Sequence, residues 1–137
     1  MKRKSRRRQG FTLLEVLLVL AILVILASTV TFYFANTQRK ANTRAARVQI
    51  HAISQLLEEY HIDVGSYPQT SDGLQALMQA PASLGDSTKW GGPYSKKVIP
   101  KDPWDREYVY ESDGLSFTIT SYGADGQEGS EDDVTDL

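Results

Sequence analysis

A long uncharged segment near the start of the chain places the strongest limit on its fold. From Val16 to Gln38 the sequence carries no charged residue. At ~1.5 Å of rise per helical residue, residues 16–34 span ~28 Å, about the thickness of the hydrocarbon core of a bilayer. Residues 1–10 come just before this segment and contain six Lys and Arg. Because basic residues tend to stay on the cytoplasmic side, we expect this leader in the cytoplasm and the C-terminal part across the membrane.

Two simpler interpretations of this segment are a secretory signal peptide and a plain membrane anchor. A signal peptide has about 7–15 apolar residues before a small-x-small cleavage site. Ala27 and Ser28 could supply such a site, but the apolar character continues beyond them to Phe34. A plain anchor does not explain Glu15, because a carboxylate so close to hydrocarbon is costly and usually marks a functional pairing.

The junction between leader and apolar segment carries a family resemblance. The sequence GFTLLE at residues 10–15, followed by the apolar run, resembles the class III signal of type IV pilins and type II secretion pseudopilins. The resemblance implies that a prepilin peptidase cleaves between Gly10 and Phe11 and that the new Phe11 amine is N-methylated. It also implies that Glu15 pairs with the Phe11 amine of a neighbouring subunit in a filament. Many members have proline where this chain has Phe32, so we expect a more regular helix here.

Length, cysteine content and charge limit the rest of the chain. Its 137 residues leave room for one small domain beyond a long helix, and the absence of cysteine excludes disulfides and thiolate chemistry. The net charge of −2 is unevenly divided, because residues 61–137 contain fourteen acidic and five basic residues, a net charge of −9. An acidic outer domain is a poor partner for nucleic acid.

The pattern of apolar residues predicts that the helix continues to Tyr60 as an amphipathic scaffold. Apolar or small residues recur at spacings of three and four, which makes one broad stripe that we expect to pack on the domain. The centre of the predicted stripe is Ala41, Ala45, Val48, Ala52, Leu56 and Tyr60, and its flanks are Ala46, Ile50, Ile53 and Leu57.

A turn at residues 63–68 and a second, shorter helix should follow. We expect Ser71 or Thr70 to cap that helix and Pro81 to stop it. Its predicted buried face is Leu74, Leu77 and Met78.

The next loop, residues 82–107, is rich in Gly and Pro and holds both tryptophans. Trp90 and Trp104 are better interpreted as covers of a small core than as binding platforms. Two sequences, SYPQTSDGLQALMQAP and GGPYSKKVIPKDPWDREYVY, resemble the major pseudopilin family of type II secretion. Asp105 replaces a glycine of that pattern, and Asp tolerates the left-handed backbone better than most residues.

A β-hairpin is predicted next. Residues 108–112 and 115–121 alternate and are rich in β-branched and aromatic residues. Asp113-Gly114 between them is a strong signal for a two-residue turn. We expect these strands to lie on the amphipathic half of the long helix.

The C-terminal sequence YGADGQEGSEDDVTDL crowds six acidic residues into twelve positions. From the residues alone, a solvated acidic tail and a calcium site remain open, because Ca²⁺ takes roughly six to eight oxygen ligands from carboxylates and backbone carbonyls. The resemblance to the major pseudopilins favours calcium. It implies side-chain oxygens from Asp125, Asp132 and Asp133 and backbone carbonyls from Tyr122 and Ser130.

These features together predict an α+β subunit. Its expected parts are a cleaved leader (1–10), a transmembrane and filament-core half-helix (11–35), and a periplasmic domain (36–137) containing the amphipathic half-helix, a short helix, an antiparallel sheet and a calcium-binding tail. The resemblance implies a structural subunit of the type II secretion pseudopilus that polymerises from the bacterial inner membrane to drive protein export across the outer membrane. Its implied partners are copies of itself, the prepilin peptidase, the minor pseudopilins and the inner-membrane assembly platform.

Three other functions remain as alternatives. A type IV pilus subunit would share the N-terminal signal, although such pilins commonly carry a C-terminal disulfide. An anchored calcium-binding module that never polymerises would leave the Gly10-Phe11 junction and Glu15 unexplained. An enzyme is not expected, because His51 and His61 have no visible catalytic partner in the sequence.

Overall fold

The computed structural model describes residues 10–136, apart from the side chains of residues 29–33 and 35. Residues 1–9 of the predicted leader and Leu137 of the predicted domain therefore lie outside the described residues. The chain divides into two compact units, Met1–Gln38 and Arg39–Leu137. Its α+β composition, with one long helix, short 3₁₀ helices and a small antiparallel sheet, confirms the predicted fold class.

The long helix, α1, runs from Leu13 to Val64 without interruption. The sequence contains neither glycine nor proline between these ends, so nothing breaks the backbone ladder, and the helix passes through position 32 as expected. It ends where Gly65 adopts a positive φ of 89° and donates its N–H to the carbonyl of His61 at 2.8 Å. Among the residues whose side chains the structure describes, no helix is both long enough and apolar enough to cross a membrane.

The buried stripe of α1 lies to one side of the predicted one. The helix positions that are fully buried are Ala46, Ile50, Ile53, Leu57 and Tyr60. All but Tyr60 were predicted as flanks, whereas the predicted centre at Ala41, Ala45, Val48 and Ala52 is exposed. The prediction was wrong because it weighted small residues equally with large ones, and the domain covers the side that carries Ile and Leu.

The second helix is shorter than expected and is capped differently. It is a 3₁₀ helix at Gly73–Leu77 that begins after Asp72, with no side-chain cap, so the predicted cap from Ser71 or Thr70 is wrong. Thr70 is instead tied to the sheet, because its hydroxyl accepts from the N–H of Ser112 at 2.8 Å and donates to the carbonyl of Ser112 at 2.9 Å. A further 3₁₀ turn occupies Ser87–Lys89.

The sheet has three antiparallel strands in the order β1 (Val109–Ser112), β2 (Phe117–Ser121) and β3 (Val134–Thr135). Ser112 pairs with Phe117, so four residues connect the hairpin and the predicted two-residue turn is wrong. The carboxylate of Asp113 accepts from the N–H of Leu115 at 2.9 Å and of Ser116 at 2.8 Å, and these bonds stabilise the wider loop.

Aromatic side chains close the core of the second unit. Trp90 packs against the core and donates its indole N–H to the carbonyl of Ala76 at 3.0 Å, and Trp104 also packs there. Tyr110 donates its hydroxyl to the carbonyl of Pro68 at 2.7 Å. Both tryptophans therefore cover the core, as predicted. Tyr108 donates to Gln49 on α1, which links the start of the hairpin to the helix.

Candidate functional site

The first candidate site is the N-terminal end of α1. Gly10 and Phe11 precede the helix, and Phe11 is 80% exposed. The hydroxyl of Thr12 accepts from the N–H of Glu15 at 3.2 Å, so Thr12 caps the helix. Glu15 lies in the first turn, where its negative charge also suits the positive end of the helix dipole.

The role of Thr12 is absent from the sequence prediction. Thr12 and Glu15 are spaced as in a capping box, a signal that sequence reasoning could have used. Glu15 therefore has a structural explanation beside the pairing implied by the family. The two explanations make different predictions for Gln at this position, which keeps the capping-box chemistry but loses the charge.

The apolar side chains that follow are exposed over many turns of α1. Those of Leu13, Leu14, Leu17 and Leu18 are all more than half exposed. A helix with large apolar side chains on every face is stable only when lipid or other protein covers it. We therefore expect lipid or other protein molecules to cover this segment.

The second candidate site is the loop of residues 122–133, between β2 and β3. The hydroxyl of Ser130 lies 3.2 Å from Oδ1 of Asp125 and 3.4 Å from Oδ1 of Asp133. Two of the predicted carboxylates thus converge on one point. Asp125 also accepts from the N–H of Gln127 at 3.0 Å, and Asp133 accepts from the N–H of Gly129 at 2.8 Å.

The two predicted carbonyl ligands belong to the same turns. The carbonyl of Tyr122 accepts from the N–H of Gly126 at 3.0 Å, and that of Ser130 accepts from the N–H of Asp133 at 3.3 Å. Each carbonyl oxygen keeps a second lone pair. Burial and the nearby acidic residues, first among them Glu128, raise the pKa of the Tyr122 hydroxyl.

Asp132 is separate from this group. Its Oδ1 forms an ion pair with Nη2 of Arg39 on α1, so its carboxylate is directed to the helix. Among residues 10–136, no three His, Asp or Glu side chains stand where they could hold a metal ion together. The chemistry of the donors fits Ca²⁺, because carboxylates and carbonyls are the hard oxygen ligands that it prefers. Asp132 is therefore the predicted side-chain ligand that the structure does not bring together with Asp125 and Asp133.

A frame of hydrogen-bonded polar groups supports the 122–133 loop. Asp102 is 5% exposed, and its Oδ2 accepts from the hydroxyl of Ser121 at 2.6 Å. Its Oδ1 accepts from the N–H of Trp104 at 3.0 Å and of Arg106 at 2.8 Å. The Arg106 guanidinium in turn donates to the carbonyls of Gly123 and Ala124.

These framing residues were not predicted from the sequence. Asp102 lies in the KDPWD turn, about twenty residues before the loop that it supports. The sequence around Asp102 indicates only a turn. Its long-range partner becomes visible once the fold brings Ser121 beside it.

Comparison with known proteins identifies a family for this chain. The model described as "Type II secretion system (T2SS), protein G" matches residues 33–137, and that described as "Prokaryotic N-terminal methylation motif" matches residues 5–31. The protein named "Type II secretion system core protein G" from Vibrio cholerae serotype O1 is 41% identical, over 98% of this chain and 93% of its own length. The protein of the same name from Pseudomonas aeruginosa is 36% identical, over 98% and 96%.

A solved structure agrees with these similarities. The crystal structure of the major pseudopilin from the type 2 secretion system of enterohaemorrhagic Escherichia coli matches with a TM-score of 0.65 and 28% identity, over 73% of this chain and 86% of that chain. The resemblance noted in the sequence is thereby confirmed at both ends of the chain. The chain belongs to the type II secretion system protein G family.

Proposed function

We propose that this chain, a structural subunit of the type II secretion pseudopilus, is processed, assembled and stabilised in three steps. Its work is mechanical rather than catalytic. Subunits add to a periplasmic filament that helps to push secreted proteins through an outer-membrane channel. The observation that carries this proposal is the family match over nearly the whole chain.

Processing is the first step. A prepilin peptidase cleaves between Gly10 and Phe11 and the new amine is methylated. The N-terminal methylation motif supports this step, as does the position of both residues ahead of the first turn of α1. The helix begins only at Leu13, so the bond between Gly10 and Phe11 lies outside it.

Anchoring and assembly form the second step. Residues 11–35 hold the subunit in the inner membrane and later form the filament core, and residues 36–137 form the periplasmic domain. Exposed leucines along the first turns of α1 support burial by lipid or by neighbouring subunits. The partners are other copies of the chain, the peptidase, the minor pseudopilins and the inner-membrane assembly platform. Glu15 pairs with the Phe11 amine of a neighbour.

Intact mass spectrometry of the membrane-extracted protein tests the processing step. We expect a mass that lacks residues 1–10 and carries one added methyl group. Gly10→Val should leave the full-length precursor, because the peptidase must accommodate the residue before the cut. A Gly10→Val chain that still loses ten residues would refute this processing.

Substitutions at Glu15 test the assembly step. Glu15→Gln keeps a side chain that can complete the capping box, so a purely structural role predicts normal filaments. The pairing that we propose predicts slow or failed assembly for Glu15→Gln and for Glu15→Val. Thr12→Val, which removes the cap and keeps the charge, is the matched control and should assemble. Filament yield by electron microscopy is the measurement.

Calcium binding is the third step. We propose that Ca²⁺ binds in the 122–133 loop through side chains of Asp125, Asp132 and Asp133 and carbonyls of Tyr122 and Ser130. The convergence of two carboxylates on the Ser130 hydroxyl supports this ligand set. The ion would neutralise carboxylates that otherwise repel one another, and so order the loop.

Thermal unfolding of the full chain in detergent, with calcium or with EGTA, tests this step. At a hundredfold excess over Kd, binding stabilises the folded state by about 2.7 kcal/mol. That should raise Tm by on the order of 10 °C. Asp125→Ala should abolish most of the rise.

The control is Glu128→Ala, because Glu128 is exposed in the same loop and outside the proposed ligand set. It is a better control than Asp136, whose carboxylate accepts from the N–H of Ile119 at 3.3 Å. Magnesium should raise Tm less, since it demands stricter octahedral geometry. Equal Tm values in calcium and EGTA would favour the alternative interpretation, in which the loop is a solvated acidic tail.

A further inference from the structure

An ion pair joins the loop to the long helix. The guanidinium of Arg39 contacts Oδ1 of Asp132, a residue 93 positions later in the chain. Arg39 is the first residue of the second compact unit. The Asp132 side chain is 16% exposed and that of Arg39 is 60% exposed, so Arg39 is the solvent-facing member of the pair.

The backbone of Asp132 is held in place. A Cβ added to Gly123 would lie 2.2 Å from the carbonyl oxygen of Asp132 and 2.7 Å from its Cβ, so the two backbones are in close contact. The N–H of Asp132 also donates to the Ser130 hydroxyl at 3.2 Å. Any exchange of partners at Asp132 would therefore involve its side chain rather than its main chain.

The charges nearby favour one cation at a time beside Asp132. Asp125 and Asp133 already share the Ser130 hydroxyl, and a third carboxylate placed beside them would be repelled. Either a cation in the loop or a cation outside it must compensate the Asp132 charge. Arg39 supplies the outer cation at Oδ1, and its positive charge repels a second cation at the same carboxylate, so each weakens the binding of the other.

From this geometry we propose that Arg39 competes with calcium for Asp132. The proposal rests on the calcium site proposed above and adds a residue of α1 that lowers its affinity. With Arg39 bound, Asp132 is withheld from the site. With calcium bound, Asp132 turns to the ion and the Arg39 guanidinium is released.

Calorimetric titration of the full chain in detergent with CaCl₂ tests this competition. Arg39→Gln should tighten the calcium Kd by about two- to fivefold, the range that corresponds to an exposed ion pair. Arg39→Lys keeps the charge and should stay close to the unmutated protein. Raising the salt concentration should reduce the difference between Arg39→Gln and the unmutated chain, because salt screens an exposed pair.

Two controls separate direct competition from a general effect of charge. Lys40→Gln removes the same charge one position later and should change Kd by less than about 1.5-fold. In an Asp132→Asn background, Arg39→Gln should give no further tightening, since the contested carboxylate is gone.

The outcomes distinguish this proposal from the calcium site itself. If the unmutated chain binds calcium and Arg39→Gln binds it equally or more weakly, the competition is refuted and the calcium site stands. Tightening by Lys40→Gln as large as that by Arg39→Gln also refutes it. If the unmutated chain gives no calcium-dependent heat, the site fails and the competition fails with it.

Discussion

The two units of the chain use apolar residues in opposite ways. Leu13, Leu17 and Leu18 in the first unit are more than half exposed, whereas Ile50 and Leu57 in the second are fully buried on the same helix. Both units obey the same physical rule, which is that apolar surface must be removed from water. The second unit satisfies it within one chain, and the first needs lipid or other subunits. A single continuous helix thus contains an intermolecular surface and an intramolecular one.

Truncating one leucine in each unit should give the largest difference. Leu57→Ala should lower the free energy of unfolding by about 2–5 kcal/mol, because it leaves a cavity in the core. Leu17→Ala is the matched change in the first unit and should leave the free energy of unfolding unaltered. Denaturation of the full chain in detergent, followed by tryptophan fluorescence, reports on the second unit, since Trp90 and Trp104 both lie there. Equal losses from both variants would break the distinction between the units.

Removing the buried carboxylate of Asp102 should have the next largest effect. Asp102→Ala leaves the Ser121 hydroxyl and two backbone N–H groups without their acceptor, which should cost about 2–3 kcal/mol. It should also weaken the calcium binding that we propose, because Arg106 loses its contact with Asp102 next to the loop. Glu107→Ala, an exposed carboxylate nearby, is the control. An Asp102→Ala chain with unchanged stability would show that the polar frame is unimportant.

Alkaline pH should unfold the second unit through its buried tyrosines. Burial raises the pKa of the Tyr108 and Tyr110 hydroxyls to about 12, above the usual value of 10.0. The folded state therefore disfavours ionisation, so this stability is complete below pH 10 and is lost as pH rises through 12. We expect a loss of about 2 kcal/mol for each tyrosine by pH 12.

Tyr110→Phe provides the check on this alkaline effect. It loses the bond to Pro68 and should be less stable at pH 7, but its stability should fall less steeply between pH 10 and pH 12. Denaturant midpoints across that range are the measurement. An unchanged slope would assign the alkaline effect to other groups.

The smallest expected effect concerns a turn of the second unit. Asp105 has a positive φ of 66°, as its place in the glycine position of the family pattern suggested. Asp105→Gly should stabilise by about 0.5 kcal/mol, because glycine reaches this conformation without strain. Asp105→Ala should destabilise by about 1 kcal/mol. The exposed pair with Lys101 at 3.3 Å adds little. The opposite order of the two Tm values would contradict this explanation.

Local signals in the sequence were sufficient for much of the fold. The glycine-free and proline-free stretch predicts α1, and the tryptophans in a Pro-rich loop predict covers for the core. The left-handed turn at Asp105 was suggested instead by the family pattern, which has glycine at this position. Errors occurred where local signals competed. Asp113-Gly114 indicates a tight turn, but the Asp113 carboxylate caps two N–H groups and widens it.

The candidate calcium site was also predictable from the sequence only in part. Asp125, Ser130 and Asp133 are close in sequence, and the structure brings their polar groups together. Contacts over long sequence distances could not be predicted. Nothing around Arg39 indicates that it meets Asp132, and nothing around Asp102 indicates that it meets Ser121, because both contacts join residues that only the tertiary fold brings together.

The short strand β3 has a consequence for how readily the loop can be ordered. Ser121 pairs with Val134, so the pairing of β2 with β3 closes the twelve residues from 122 to 133 into a ring. Bringing together the ends of a free segment of that length costs about 2 kcal/mol in chain entropy. Here the burial of Val134 supports the closure before any ion arrives. The two-residue strand therefore fixes the ends of the loop, and the calcium ion that we propose would have to order only the residues between them.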